Sequence, residues 1–180
     1  KEGVKRIVLA RELSLKEIRD IKNRSKSEIE VFIHGGMCAS YSGRCTLSNH
    51  LTGRDANRGG CAHSCRWNYR LYDDSGNLIS PPGAYYNFAL NFIPELIRIG
   101  VDSLKIEGRM KSLHYIATVV GVYRKVIDEY CRNPHSFIID ESYYEEIGKA
   151  EKRFSFPGFL AGVPGEKGQL YNIHSEEPTK

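Results

Sequence analysis

The sequence predicts an α/β fold. Three observations carry that prediction: short apolar runs at 6–10, 29–34 and 101–107, a helix signal after the first run, and a long amphipathic pattern after the third. Apolar runs of this length, bounded by turn residues, suit strands buried in a parallel sheet. Strand, helix and strand within about 30 residues make a right-handed βαβ unit. With 180 residues, 41% hydrophobic and 27% charged, the chain has enough apolar material for one core.

The elements follow in order. RIVLA at 6–10 reads as a buried strand ending at Arg11 and Glu12. Ser14 and Glu17 have capping-box spacing, the serine accepting from the third helical amide while the glutamate reaches back, so a helix opens there and stops near Asn23. The second strand runs over 29–34, and a cysteine-rich loop over 35–66 leaves its end. The turn-rich DDSGN at 73–77, flanked by 67–71 and 78–80, reads as a β-hairpin excursion outside the main sheet. The segment 87–99 is helical in parts, with Pro94 suited to a first turn and Gly100 to the stop. A third strand covers 101–107. Ile116, Val119, Val120, Tyr123, Val126, Ile127 and Tyr130 then form one stripe of a helix over 112–131, which makes Cys131 a buried small hydrophobe. A short helix at 141–153 completes the α/β part. The Gly/Pro-rich segment 154–180 reads as irregular.

Bulk properties exclude little else. A net charge of +4 permits an anionic partner such as RNA without demanding one. No run approaches the ~20 consecutive apolar residues of a membrane span, so a soluble, cytoplasmic protein is expected.

The chemistry concentrates at 30–67, which holds Cys38, Cys45, Cys61 and Cys65, four of the five cysteines. Four thiolates that close in sequence can converge on one tetrahedral centre, whereas disulfides would call for an oxidising compartment and usually a core-poor domain. The gaps are C-x6-C, x15 and C-x3-C, and only the last is knuckle-like. A loop wrapped round an iron-sulfur cluster fits that irregular spacing better than a zinc ribbon, and zinc stays open as the alternative.

The run EVFIHGGMCASYSGRCTLSN, followed by TGRDANRGGCAHSCRW, resembles the signature of the collagenase-like peptidase family of unknown catalytic type, and SLKIEGRMKS at 103–112 resembles its second landmark. That family includes proteins of prephenate-dependent tRNA uridine hydroxylation, of 23S rRNA cytidine hydroxylation and of oxygen-independent ubiquinone hydroxylation. The resemblance implies that Cys38, Cys45, Cys61 and Cys65 hold a 4Fe-4S cluster. It implies that the chain is the C-terminal portion of a (β/α)8-like TIM-type barrel, with residues 1–153 a partial barrel. It implies action on RNA, with the wobble uridine of tRNA as substrate. Peptidase activity, ubiquinone hydroxylation and a zinc-stabilised RNA-binding module are the alternatives.

A second constellation comes from the strand ends. Alternation sends Lys105 and Glu107 away from the helices, and the same logic sends Glu30, Phe32 and His34 that way on the previous strand. Arg11, His34, Glu107 and Arg109 then gather at the carboxyl ends of strands, where such folds keep their sites. They are the candidate catalytic or binding residues, for RNA and for a small organic carboxylate acting as oxygen donor. Lys105 with Glu107 reads equally as a structural ion pair, and His34 as a hydrogen-bonded core histidine. His50 and His63 are replacement ligands or solvent-facing loop residues. Arg44, Arg54, Arg58 and Arg66 suit RNA, a thiolate cluster or a carboxylate. Neither HExxH nor G-x-S-x-G is present, so nothing in the residues themselves picks out a protease.

Overall fold

The structure is a computed structural model and describes residues 3–36, 38, 40–67, 73–77, 86–108, 111–150, 155–156 and 159–162. Three parallel strands form its centre. β1 (Arg6–Val8) and β4 (Ser103–Ile106) both run parallel to β2 (Glu28–Gly36). Asp102 and Glu107 amides donate to the carbonyls of Ile29 and His34 on one edge of β2, while Leu9 and Ala89 amides donate to Glu30 and Ile33 on the other.

The first helix, α1 (Leu15–Arg24), begins as the capping box requires: Ser14 Oγ accepts from the Glu17 amide and Glu17 Oε2 accepts from the Ser14 amide at 2.8 Å. It runs to Arg24, past the expected stop at Asn23. Asp102 ties three elements together, accepting from Lys22 of α1 and from the Ile29 amide of β2 just before β4 begins. The lysine and that amide hold its carboxyl below the usual range.

α3 (Ile93–Ile99) opens with Pro94 in its first turn and closes on Gly100 in the left-handed region, both as the sequence indicates. α4 (Leu113–Arg132) is N-capped by Ser112, and α5 (Glu141–Ala150) packs on it. The core joins Ile29, Val31 and Ile33 of β2 to Leu90, Ile93 and Leu96 and to Val119, Val122 and Val126 of α4.

Several expectations are corrected. β1 is not a doubly buried strand: Ile7 and Val8 are 40% and 44% exposed, because β1 is hydrogen-bonded on one side only among the described residues. The buried stripe of α4 is Tyr115, Val119, Val122, Tyr123, Val126 and Tyr130, which leaves Ile116 and Val120 exposed. Cys131 lies about 100° round the helix from Tyr130 and is exposed rather than buried. The segment 87–99 is helical in parts, as expected, from Leu90 onward; ahead of that, Tyr86–Phe88 forms β3, antiparallel to β2. Ser155–Phe156, expected to be irregular, forms β5 beside β3. The turn at 73–77 is present, closed by Asp73 and Asn77, while the flanking hairpin residues 68–72 and 78–80 lie outside the described residues.

Candidate functional site

β2 departs from simple alternation between Phe32 and His34, where the register against β4 slips by one residue. Before the slip, Glu30 and Phe32 share a face with Lys105; after it, His34 stands opposite Ile106 on the helix face. His34 is therefore 1% exposed in the core, its Nδ1 3.2 Å from the Tyr123 hydroxyl and its ring edge-on to Tyr123 at 5.4 Å. The reading of His34 as an inward-facing site residue is overturned by this bulge, a device that re-aims a side chain. Its contribution to the site is its carbonyl, which accepts the Glu107 amide at 2.9 Å.

Glu107 is the hub. Its Oε2 accepts from Arg11 at 3.0 Å and its Oε1 lies 2.8 Å from His63 Nε2. The Arg11 guanidinium also stacks 3.9 Å over the Phe32 ring. Burial pushes the Glu107 carboxyl up, but the hydrogen bond from His63 and the charges of Arg11, His63 and Lys111 outweigh it and hold the group below its ordinary value. An ionised carboxylate only accepts, so His63 Nε2 carries the hydrogen of this bond. Lys105 does not pair with Glu107; it lies 3.4 Å from Glu30 and 4.9 Å from the Phe32 ring centre. Arg109 falls outside the described residues.

The cysteine loop folds over this group. It contains α2 (Leu47–Thr52) and two short turns of 3-10 helix, Ala56–Arg58 and Ser64–Arg66. Glu12 accepts the Ser42 amide, fastening the loop to the end of β1. Asn57 clamps Cys45, accepting its amide at 3.2 Å and donating to its carbonyl at 3.0 Å. Gly60 packs so tightly that a Cβ there would lie 2.6 Å from the Asp55 carbonyl oxygen. His63 takes a left-handed backbone with φ of 54°, uncommon for a non-glycine residue, and this turns its ring toward Glu107.

None of the five cysteines is in a disulfide, and Cys38, Cys45, Cys61 and Cys65 are each partly buried. The four line one cavity of about 800 Å³, together with Arg11, Phe32, His63, Lys105, Glu107 and Lys111. Among the described residues, no three His, Cys, Asp or Glu groups lie close enough to enclose a single metal ion. His50 is exposed on α2, as are Arg44, Arg54 and Arg58 around the loop; the Arg66 side chain is outside the described set. Sequence reasoning left His63 as a spare ligand or a solvent-facing residue. Its only signal was its place inside CAHSC, between two candidate ligands.

A family model described as peptidase family U32 matches residues 1–170. The chain belongs to peptidase family U32. Among U32 relatives, the tRNA hydroxylation protein P1 of Bacillus subtilis (strain 168) is 50% identical, over 99% of this chain and 44% of its own length. The 23S rRNA 5-hydroxycytidine C2501 synthase of Escherichia coli (strain K12) is 43% identical over 70% of this chain and 20% of its own. The Collagenase of Porphyromonas gingivalis (strain ATCC BAA-308 / W83) is 31% identical over 87% of this chain and 42% of its own. The chain thus spans less than half the length of these curated relatives. No solved structure matches it. No helix among the described residues is long and apolar enough to cross a membrane.

Proposed function

We propose that this U32 chain is the cluster-bearing part of a cytoplasmic RNA hydroxylation protein, acting on the wobble uridine of tRNA, with its sheet forming part of a (β/α)8-like barrel. The single observation that carries the reading is the shared cavity: four thiols and the Arg11–Glu107–His63 group open onto one space. The relatives named for tRNA and rRNA hydroxylation support RNA as substrate. The loop supports it too. Residues 37–67 carry four arginines against one aspartate, and Arg44, Arg54 and Arg58 make no ion pair among the described residues, although Arg6, Arg11, Arg19, Arg98 and Arg124 all do. Exposed Tyr41 and Trp67 lie on the same loop. Unpaired arginines with exposed aromatics suit a splayed single strand.

The donor set fits an iron-sulfur cluster. Four thiolates lining one cavity are the ligand set such a cluster takes. Cys38, Cys45, Cys61 and Cys65 would hold it, and when bound it supplies one-electron chemistry. The remaining work falls to the chain. Arg11 and Glu107 fix the His63 ring at the edge of the cavity. Lys105 and Lys111, on the same cavity wall, neutralise a small organic carboxylate that donates oxygen.

The test is anaerobic isolation with iron, sulfide and zinc analysis, followed by nucleoside analysis of tRNA from cells carrying Cys38→Ala. Near-equal iron and sulfide, and parallel loss of cluster and hydroxyuridine, are expected. Full hydroxylation without the cluster would sink the proposal.

A peptidase is the second reading, favoured by the Collagenase relative and by the Glu107–His63 pair, which resembles a base with its orienter. It ranks lower because the buried Ser48 hydroxyl is engaged with Ala62, Cys61 and Ser64 rather than with His63.

A further inference from the structure

The cysteine loop contains two buried serines, Ser48 and Ser64, that the Glu107 group does not use. Ser48, near the start of α2, is 2% exposed. Its Oγ accepts the Ala62 amide at 3.1 Å, lies 3.4 Å from Ser64 Oγ, and lies 3.9 Å from Cys61 Sγ, within reach of an O–H···S hydrogen bond. A hydroxyl has one proton to give, and with Ala62 on a lone pair, that proton is available to the sulfur. The His63 amide approaches the same sulfur at 3.4 Å. Cys61 Sγ therefore has two donors on it, one from the backbone and one from a side chain sixteen positions from Ser64 and thirteen from Cys61.

The placement joins the two halves of the thiolate set. Cys38 and Cys45 precede α2, whereas Cys61 and Cys65 follow the Asp55–Gly60 turn. Ser48 bonds directly across that gap to 61, 62 and 64. Removing this buried hydroxyl would take the acceptor from the Ala62 amide.

We propose that Ser48 is a positioning residue for the thiolate set: it pins the 61–65 segment to α2 and donates its proton to Cys61 Sγ. This rests on the cluster reading above. Hydrogen bonds to a ligating sulfur draw charge from it and favour the reduced state, so the donor sets potential as well as place.

The experiment compares wild type, Ser48→Ala and Ser48→Thr, all isolated anaerobically, by iron and sulfide content, midpoint potential and hydrogen exchange at the Ala62 amide. In Ser48→Ala we expect iron to be retained and the potential to move negative by the equivalent of about tenfold in the reduction equilibrium, ~59 mV for one electron. Exchange at Ala62 becomes about tenfold faster, and Ser48→Thr, which keeps the hydroxyl, restores both quantities. An unchanged potential with iron retained overturns the bond to Cys61. Unchanged Ala62 exchange overturns the pin. If wild type itself carries no iron, the cluster reading falls and the role in potential falls with it, while exchange at Ala62 still decides the pin, because that bond needs no metal.

Discussion

Gly35 and Glu107 are in contact so close that no side chain fits between them: a Cβ on Gly35 would lie 2.5 Å from Glu107 Cβ, and Gly35 has φ of +120°. Both facts demand glycine. Gly35→Ala should therefore lower stability by about 1–3 kcal/mol and push Glu107 off Arg11 and His63. Thermal unfolding checks it, with a fall of several degrees expected; an unshifted midpoint would show that the strand ends are looser than described.

Glu107→Gln keeps the shape of the hub and removes its charge. One amide cannot accept from both Arg11 and His63 as the carboxylate does. The proposed hydroxylation should drop about a hundredfold while the protein stays folded. Combining it with Arg11→Met should cost much less than the sum of the two, since either change breaks the same pair. Strict additivity would mean that the pair does not act as a unit.

His34 should behave in the opposite way. Its ring is packed between Tyr115 and Tyr123 in the core. His34→Ala should cost about 2–4 kcal/mol of stability by removing that packing and the Tyr123 contact, yet leave the activity per folded molecule nearly intact. Activity lost without any stability loss would restore His34 as a site residue.

A pH effect is expected where α4 meets α5. The Tyr143 hydroxyl donates to Glu129, and that hydrogen bond, with burial and the nearby carboxylates, pushes the phenol from 10.0 up to about 12. A group whose pKa is raised on folding stabilises the fold fully below its ordinary value and loses that contribution as pH climbs through the folded one. Stability should thus fall between about pH 10 and 12 and the fall should shrink in Tyr143→Phe. Denaturant titrations across that range measure it; identical alkaline limbs for both proteins would remove Tyr143 from the account.

Much of this could be read directly from the residues. The Ser14–Glu17 box, Pro94 and Gly100 at the ends of α3, and the 3.6-residue repeat of α4 are local signals, because caps and periodicity act within one turn. The four cysteines were legible as one group because they crowd into a single loop, and Arg11 and Glu107 because strand ends collect in this kind of sheet. The register slip between Phe32 and His34 was not legible: a bulge forms in the pairing of β2 with β4, some seventy positions away, and one extra residue reverses which face a side chain takes. The same is true of His63, whose partner lies 44 positions on and whose left-handed backbone has no local cause. It is true of β3 and β5, which are too short to leave a pattern and exist through their partners. Local chemistry sets the helices and the cysteine loop. Which side chains meet over the cavity is decided by strand pairing, which depends on residues far apart in the chain.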